Sequence, residues 1–202
     1  MKLIGMLDSP YVRRVAISMH VLGFAFEHVA LSVFRNQDEM RKVNPLVKVP
    51  MLVLDSGERL IESSFILDYL DGLAAPEKRL MPAAGYARMQ AQQHCAVALV
   101  ATEKTVQVYY ETQLRPAEFS YQPWVERCST QMHDAFAMLD AMPQSGVLAG
   151  APLDQADITA AVALRFARHV LPAHFPVDRY PHLERLSAHC EALPAFIDTP
   201  LE

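Results

Sequence analysis

The stretch KVPMLVLDSGERLIESS, residues 48–64, contains two short apolar runs separated by the turn sequence Asp-Ser-Gly-Glu. Short apolar runs joined by a glycine-bearing turn are typical of a two-stranded hairpin. The segment 64–73 that follows has the pattern of a helix. Glu62, Ser63 and Ser64 therefore lie where a strand ends and a helix begins, a position at which backbone N–H groups lack partners within the helix.

The region before this stretch alternates short apolar runs with amphipathic segments. The pattern predicts two strands and a later short helix, at 2–7, 26–31 and 37–43. Between the two strands, Ser9 and Pro10 supply an N-cap and a first-turn proline, and Gly23 supplies a stop signal. A helix is therefore expected between Pro10 and Gly23, and it should join two parallel neighbouring strands by a right-handed crossover.

The region after this stretch loses the strand pattern. Residues 74–85, AAPEKRLMPAAG, have the composition of a proline-bearing linker. Three long helical patterns follow the linker, at 85–115, 122–142 and 154–171. The element order is thus β-α-β-α-β-β-α and then helices only, which predicts a helical bundle for the second half.

The composition excludes several classes of protein. Of the 202 residues 51% are hydrophobic, enough for a real core, and the formal net charge is −5 without a cluster of Lys or Arg. A broad surface for nucleic acid or anionic membranes is therefore not expected. The first residues lack a signal-peptide pattern and no stretch approaches the ~18 apolar residues of a membrane span, so a cytoplasmic location is expected.

The cysteines and histidines do not form a metal or disulfide pattern. Cys95, Cys128 and Cys190 are odd in number and widely spaced, and the eight histidines form no HExxH pair. We expect no disulfide framework and no metal site. No cysteine occurs before residue 95.

Four motifs together resemble the cytosolic glutathione transferase family over nearly the whole chain. In chain order they are SPYVRRV (9–15), NPLVKVPMLV (44–53), LIESSFILDYL (60–70) and GAPLDQADITAAVAL (150–164). The SPxxR opening resembles bacterial, serine-type members. The final segment ALPAFIDTP, residues 192–200, resembles the terminal segment of the family.

The resemblance implies an α/β thioredoxin-like domain followed by an all-α helical bundle. Its expected limits are a glutathione-binding domain at 1–75, a linker at 76–86 and a helical domain at 87–202 that forms the pocket for an electrophile. The resemblance also implies a homodimer in which the first domain of one subunit contacts the helical domain of the other. Glutathione would be a cosubstrate.

Two residues depart from the family pattern. Where members commonly have Gly in NPxGKVP, this chain has Val47, so the loop gives up backbone freedom. Where Ser or Thr is usual at the start of the helical-domain motif, this chain has Asp154, which caps a helix as well as Ser does. Asp157, three residues later, is expected to be its buried partner in folding.

Glu62 and Ser63 suit the γ-glutamyl end of glutathione. That end carries both an ammonium and a carboxylate, so Glu62 can pair with the ammonium while the Ser63 hydroxyl and helix N–H groups receive the carboxylate. The alternative is that Ser63 or Ser64 only caps the helix and that Glu62 is a solvated charge.

Val49-Pro50 resembles the cis-proline site of the family. There the residue before proline turns its backbone N–H and C=O toward the cysteinyl part of glutathione, like an added strand. The cis bond is implied by the resemblance, because trans is the majority state of X-Pro bonds. Lys48 can reach the glycyl carboxylate, and a solvated lysine is the alternative.

Ser9 is the expected catalytic residue and also a glutathione-binding residue. A hydroxyl at a helix N-terminus can stabilise the glutathione thiolate, which is the nucleophile, and so lower the thiol pKa from ~8.5. The alternatives are that Ser9 is only an N-cap, or that Tyr11 is the donor. We also expect Arg13 or Arg14 to anchor the helix through a carboxylate, with the other solvated. Tyr109, Tyr110 and Arg115 are candidates for lining the electrophile pocket.

These residues predict a glutathione transferase. The absence of an early cysteine argues against the thiol-transferase branch, which uses a cysteine where Ser9 stands. A glutathione-dependent isomerase or peroxidase is an alternative on the same site. A second alternative is a non-enzymatic interaction protein resembling the stringent starvation proteins, since fold does not determine function.

Overall fold

A computed structural model describes residues 1–142, 146–176 and 178–201 of the chain. They form two compact units, Met1–Met81 with Ala192–Glu202 and Pro82–Glu191. The final segment 192–201 therefore packs with the N-terminal residues, whereas the sequence analysis assigned it to the helical domain. The predicted domain limits themselves stay a prediction.

The first unit is built on a small mixed sheet. Its strands are β1 (Lys2–Ile4), β2 (Glu27–Val29), β3 (Met51–Val53) and β4 (Arg59–Ile61), in the spatial order β2-β1-β3-β4. β1 and β2 are parallel, as predicted, and the other two pairs are antiparallel. The sheet, together with the order of its strands and helices, confirms the predicted α/β first half.

The helices alternate with these strands and then continue alone. In chain order they are α1 (Pro10–Leu22), α2 (Gln37–Val43), α3 (Ser63–Leu73), α4 (Gly85–Tyr109), α5 (Gln122–Ala141), α6 (Gln155–Val170), α7 (Pro181–Glu191) and α8 (Pro194–Ile197). A π-helix follows α4 at Tyr110–Leu114. Short 3-10 turns lie at Pro76–Lys78, Ala117–Phe119, Gly146–Ala149 and Pro172–His174. None of the helices in the described ranges is long and apolar enough to cross a membrane.

Local signals explain where α1 begins and ends. Ser9 is its N-cap and Pro10 lies in its first turn, because the missing N–H of proline has no intrahelical role there. Gly23 ends the helix in a left-handed conformation, φ 80°, with its N–H directed to the carbonyls of His20 and Met19. The helix packs against α3 and buries its apolar face, including Val12.

In the described part of the second unit, the helices α4, α5, α6 and α7 pack together. α4 contacts both α5 and α6, and α6 contacts α7. α6 begins with a reciprocal cap: Asp154 Oδ1 accepts from the Asp157 N–H at 2.8 Å, and Asp157 Oδ2 accepts from the Asp154 N–H at 3.2 Å. This confirms the predicted cap. Residues 155–164 are all buried, as expected of a central helix.

Candidate functional site

Three segments of the first unit meet at one edge of the sheet. β3 runs antiparallel to both β1 and β4, with Met51 opposite Ile4 on one side and Ile61 on the other. The residues that follow β1, precede β3 and follow β4 therefore lie at the same edge. Those segments carry most of the candidate site residues, namely Ser9, Lys48, Val49, Pro50, Glu62 and Ser63.

Ser9 stands at the start of α1 with its side chain half-buried. Its Oγ accepts a hydrogen bond from the Val12 N–H at 3.4 Å, and its carbonyl accepts one from the Arg13 N–H at 2.9 Å. A hydroxyl that accepts through one lone pair still carries a proton that it can donate. The two alternatives from the sequence, helix cap or donor to a ligand, are therefore compatible in one residue.

The Val49-Pro50 peptide bond is cis, as the resemblance implies. It lies against the turn between β1 and α1. A Cβ added to Gly5 would stand 2.9 Å from the Cβ of Val49 and 2.5 Å from Cγ2 of Val12, so only glycine fits there. Gly5 also has φ 136°, a conformation that favours glycine. The close approach brings the cis bond next to the segment that leads to Ser9.

Glu62 is the N-cap of α3. Its carboxylate accepts from the Ser64 N–H at 3.1 Å, and the Ser63 hydroxyl donates to Oε1 at 3.4 Å. Glu62 is exposed and has φ 67°, whereas Ser63 is buried. The alternative in which Ser63 or Ser64 caps the helix is wrong, because Glu62 makes the capping bond itself.

Asn44 holds the loop that precedes the cis bond, a role that the sequence analysis missed. It is buried, its Nδ2 donates to the carbonyl of Lys48 at 2.8 Å, and its Oδ1 accepts from the Leu46 N–H at 3.1 Å. The signal in the sequence was Asn before Pro, since an Asn side chain readily bonds the backbone two residues on. The Lys48 side chain itself is exposed.

Val47 adopts φ 50° in the same loop, where the family commonly has glycine. A β-branched residue in this region is strained, by ~1–3 kcal/mol. Its side chain is half-buried against the apolar cluster of Ile4, Met40 and Met51. Packing of the Val47 side chain therefore offsets part of the backbone strain that a glycine at this position would avoid.

Two further side chains of the first unit bind backbone groups that are not their neighbours in the chain. His28 Nε2 lies 2.7 Å from the carbonyl of Gly5, while the Gly5 N–H donates to the carbonyl of Val29 at 3.0 Å. Asp71, near the end of α3, accepts from the backbone N–H groups of Leu80 and Met81 at 2.6 and 3.2 Å. The sequence analysis assigned neither residue, because their partners are distant in the chain.

Arg13 and Arg14 are both buried, so the expectation that one of them is solvated is wrong. Arg13 Nε donates to the carbonyl of Thr199 at 2.8 Å, and its guanidinium carbon lies 5.6 Å from the ring centroid of Phe196. Arg13 thus anchors α1, and the contacts described here are to backbone carbonyls of the C-terminal segment, whereas a carboxylate was expected.

The aromatic candidates for the electrophile pocket lie in the second unit. Tyr109 ends α4 and Tyr110 begins the π-helix, with ring centroids 6.2 Å apart. Arg115 pairs with Glu111, its Nε lying 2.7 Å from Oε2. Their role in a pocket stays a prediction.

Two of the three protein thiols are poorly suited to be nucleophiles. Burial raises the pKa of Cys190 to about 12, and it also raises the pKa of Cys128. Cys95 is half-buried, and none of the three forms a disulfide. In the described parts of the chain no three His, Cys, Asp or Glu side chains are grouped as metal ligands.

Comparison with known proteins identifies the family. The glutathione S-transferase N-terminal domain model matches residues 3–78, and the glutathione S-transferase C-terminal domain model matches residues 122–189. The chain belongs to the glutathione S-transferase family. The glutathione transferase fold predicted from the sequence is thereby confirmed.

Similar proteins cover nearly the full length of this glutathione S-transferase family member. The uncharacterized GST-like protein YibF of Escherichia coli is 28% identical over 188 residues, 92% of this chain and 91% of YibF. A glutathione transferase family member from Pseudomonas fluorescens Pf-5, solved with bound glutathione, is 29% identical with a TM-score of 0.87, covering 100% of this chain and 98% of the other. Its structure with S-(propanoic acid)-glutathione is 30% identical with a TM-score of 0.82, covering 98% of each chain.

Proposed function

We propose that this protein is a bacterial, serine-type glutathione transferase. It binds glutathione at the edge of the sheet and converts the thiol to a thiolate that attacks a small, apolar electrophile. The observation that carries this proposal is the convergence of the Ser9, Val49-Pro50 and Glu62-Ser63 segments at one edge. The Pseudomonas fluorescens relative, which was solved with glutathione, supports the choice of ligand.

Glu62 and Ser63 receive the γ-glutamyl end in this proposal. The exposed Glu62 carboxylate pairs with the ammonium. The 3.4 Å between the Ser63 hydroxyl and Glu62 Oε1 is long for an O–H···O bond, so the ligand carboxylate can replace it. The N–H of Ser63 at the start of α3 adds a donor for the same carboxylate.

Val49 and Lys48 hold the remainder of glutathione. The backbone N–H and C=O of Val49 pair with the cysteinyl part in the manner of an added strand. Pro50 has no backbone N–H and cannot donate in this pairing, so Val49 provides the donor. Lys48 is exposed and is assigned to the glycyl carboxylate.

Ser9 stabilises the thiolate. Its hydroxyl accepts from Val12 and donates its proton to sulfur, at the N-terminus of a 13-residue helix where partial positive charge accumulates. A bond that strengthens as sulfur becomes charged lowers the thiol pKa and the barrier together.

The test compares Ser9→Ala and Glu62→Ala with the control Ser56→Ala, an exposed serine in the β3–β4 turn. Ser9→Ala should still bind glutathione while the thiol pKa returns toward ~8.5 and turnover near neutral pH falls. Glu62→Ala should mainly raise KM for glutathione, because its interaction is equal before and during reaction.

Thiolate absorbance titrated against pH measures the first effect, and initial rates at varied glutathione concentration with a fixed electrophile measure the second. If the Ser9→Ala titration overlays that of the parent, Ser9 is only a helix cap, and Tyr11 or a backbone N–H stabilises the thiolate. A protein that fails to bind immobilised glutathione would be an interaction protein on this fold. Isomerase or peroxidase turnover without conjugation would change the reaction but not the site.

We also propose a cytoplasmic homodimer. α3 exposes Phe65, Tyr69 and Leu73 four residues apart, with Phe65 73% and Leu73 54% exposed. Side chains at this spacing share one helix face, and an exposed apolar face of this kind marks an interface. In the family arrangement it would meet the helical domain of the second copy, with the two-fold symmetry of most dimers.

Sedimentation of the parent protein at micromolar concentration should give twice the mass of the chain. Phe65→Glu should shift the protein to the monomer. A parent protein that sediments as a monomer contradicts the proposal.

A further inference from the structure

The C-terminal segment 194–199 lies against the helix that begins at Ser9. Arg13, one turn into α1, contacts Phe196 and Thr199, which are separated from it by 183 and 186 positions in the chain. Its side chain is 1% exposed, although it carries a full charge. A buried guanidinium is stable only where it is well paired, so this contact is a strong determinant of the local structure.

The guanidinium is bound at the end of α8. Nε donates to the carbonyl of Thr199 at 2.8 Å, and Nη2 donates to the carbonyl of Phe196 at 3.5 Å. Thr199 lies just beyond α8, and the Phe196 carbonyl near the end of α8 also accepts from the Thr199 N–H at 3.3 Å. A charged donor strengthens the bonds that these carbonyls accept. The Phe196 ring, 5.6 Å from the guanidinium carbon, adds a cation-π contact.

The segment is also ordered from its own side. Thr199 Oγ1 donates to the carbonyl of Ala195 at 2.8 Å, and the side chains of Phe196 and Thr199 are both buried. The segment that receives Arg13 is therefore also held by a hydrogen bond of its own and by the burial of two of its side chains.

The opposite end of the same turn is Ser9. The N–H groups of Val12 and Arg13 both bond to Ser9, the first to its hydroxyl and the second to its carbonyl. Arg13 thus bonds Ser9 through its backbone and the C-terminal segment through its side chain.

We propose that residues 194–199 form a C-terminal clasp that fixes the first turn of α1 through Arg13 and thereby orients Ser9. Arg13 is a positioning residue, because it acts on sulfur only through Ser9. The chemical consequence of the clasp rests on the proposed glutathione transferase function, whereas its effect on the first turn of α1 does not.

The first experiment measures hydrogen exchange in the protein without glutathione. Arg13→Lys and Phe196→Leu keep charge and hydrophobicity respectively, so both variants should fold. The Val12 and Arg13 amides should exchange at least ten times faster than in the parent, while amides of α2 and β3 keep their rates. The control Arg41→Met, an exposed arginine on α2, should match the parent. Unchanged exchange, or equal acceleration throughout the unit, overturns the clasp.

The second experiment titrates the thiol of bound glutathione. Arg13→Lys should raise the thiol pKa part of the way toward the value in Ser9→Ala, lower kcat at least threefold at pH 6.5, and change KM less than twofold. A merely structural role would lower the melting temperature and leave the thiol pKa unchanged, which overturns the link to Ser9. If the parent itself does not lower the thiol pKa, the proposed function fails, and the exchange rates still decide the clasp.

Discussion

The helices α1 and α6 both begin with a side-chain cap, but the caps are built differently. At α6 two aspartates bond each other's backbone N–H groups, and Asp157 is 1% exposed. At α1 a single hydroxyl accepts one bond of 3.4 Å and remains half-buried. The reciprocal cap of α6 serves its own helix, whereas the cap of α1 retains a proton for another partner. In the proposed function Ser9 therefore combines a folding role with a binding role, whereas the α6 cap has a folding role alone.

The largest expected effect on stability follows from removing the reciprocal cap of α6. Asp157→Ala should lower the free energy of unfolding by about 2 kcal/mol, because it removes a buried carboxylate and leaves the Asp154 N–H without its acceptor, while the N-cap bond of Asp154 remains. Asp154→Ala should cost about 1 kcal/mol. Denaturant unfolding measures both.

Neither aspartate variant should change affinity for glutathione, since both residues lie in the second unit. Unchanged stability in both would show that the reciprocal cap has no folding role. A weakened affinity with normal stability would remove the contrast between α1 and α6.

A smaller effect is expected from pH, again in the second unit. His133 packs its ring against His174 and Phe175, and its Nδ1 lies 2.9 Å from the hydroxyl of Tyr180. Burial, followed by the charges of Arg179 and His174, lowers the pKa of His133 to about 4, while Asp134 opposes this. The neutral ring is therefore the form that the folded unit favours.

The direction in which stability changes with pH follows from proton binding to His133. Between pH 6.5 and about 4 the unfolded chain binds a proton at His133 that the folded chain does not, so stability falls as pH falls through this window. From pH 7 to pH 5 the parent should lose about 1 kcal/mol more than His133→Gln, after allowance for solvent screening of a half-buried ring. Melting curves at both pH values measure it, with the exposed His189→Gln as control. Equal losses in parent and His133→Gln would mean that the ring titrates as in water.

The sequence predicted what local signals determine. Ser9, Gly23 and the Asp154 cap each act within four residues, so the chain around them is sufficient to place a helix end. The order of strands and helices follows from hydrophobic period for the same reason. The cis bond at Val49-Pro50 came from family resemblance, because the local preference is trans.

The sequence did not predict contacts between distant residues. Arg13 was expected to be either an anchor or solvated, because the sequence around it does not indicate that Thr199 is its partner. His28 and Asp71 bind backbone groups that only the folded chain brings to them. The helices α7 and α8 were missed as well, although both begin at a proline.

The smallest expected effect concerns Val47, whose positive φ sits beside the proposed site. Two terms oppose each other there: glycine would relieve the strain, and truncation would remove packing against Met40 and Met51. Val47→Gly should therefore stay within about 0.5 kcal/mol of the parent, because ~1 kcal/mol of strain relief offsets a similar packing loss. Val47→Ala loses the packing and keeps much of the strain, so it should be less stable than the glycine variant.

Val53 provides the matched control, since it packs against the same cluster from the strand β3. There the usual order should hold, with Val53→Ala more stable than Val53→Gly by ~0.5–1 kcal/mol because glycine loses more backbone entropy. Chemical denaturation of the four variants measures the reversal between the two positions. If alanine is the more stable replacement at both, backbone strain at Val47 is too small to matter, and packing alone shapes the loop before Pro50.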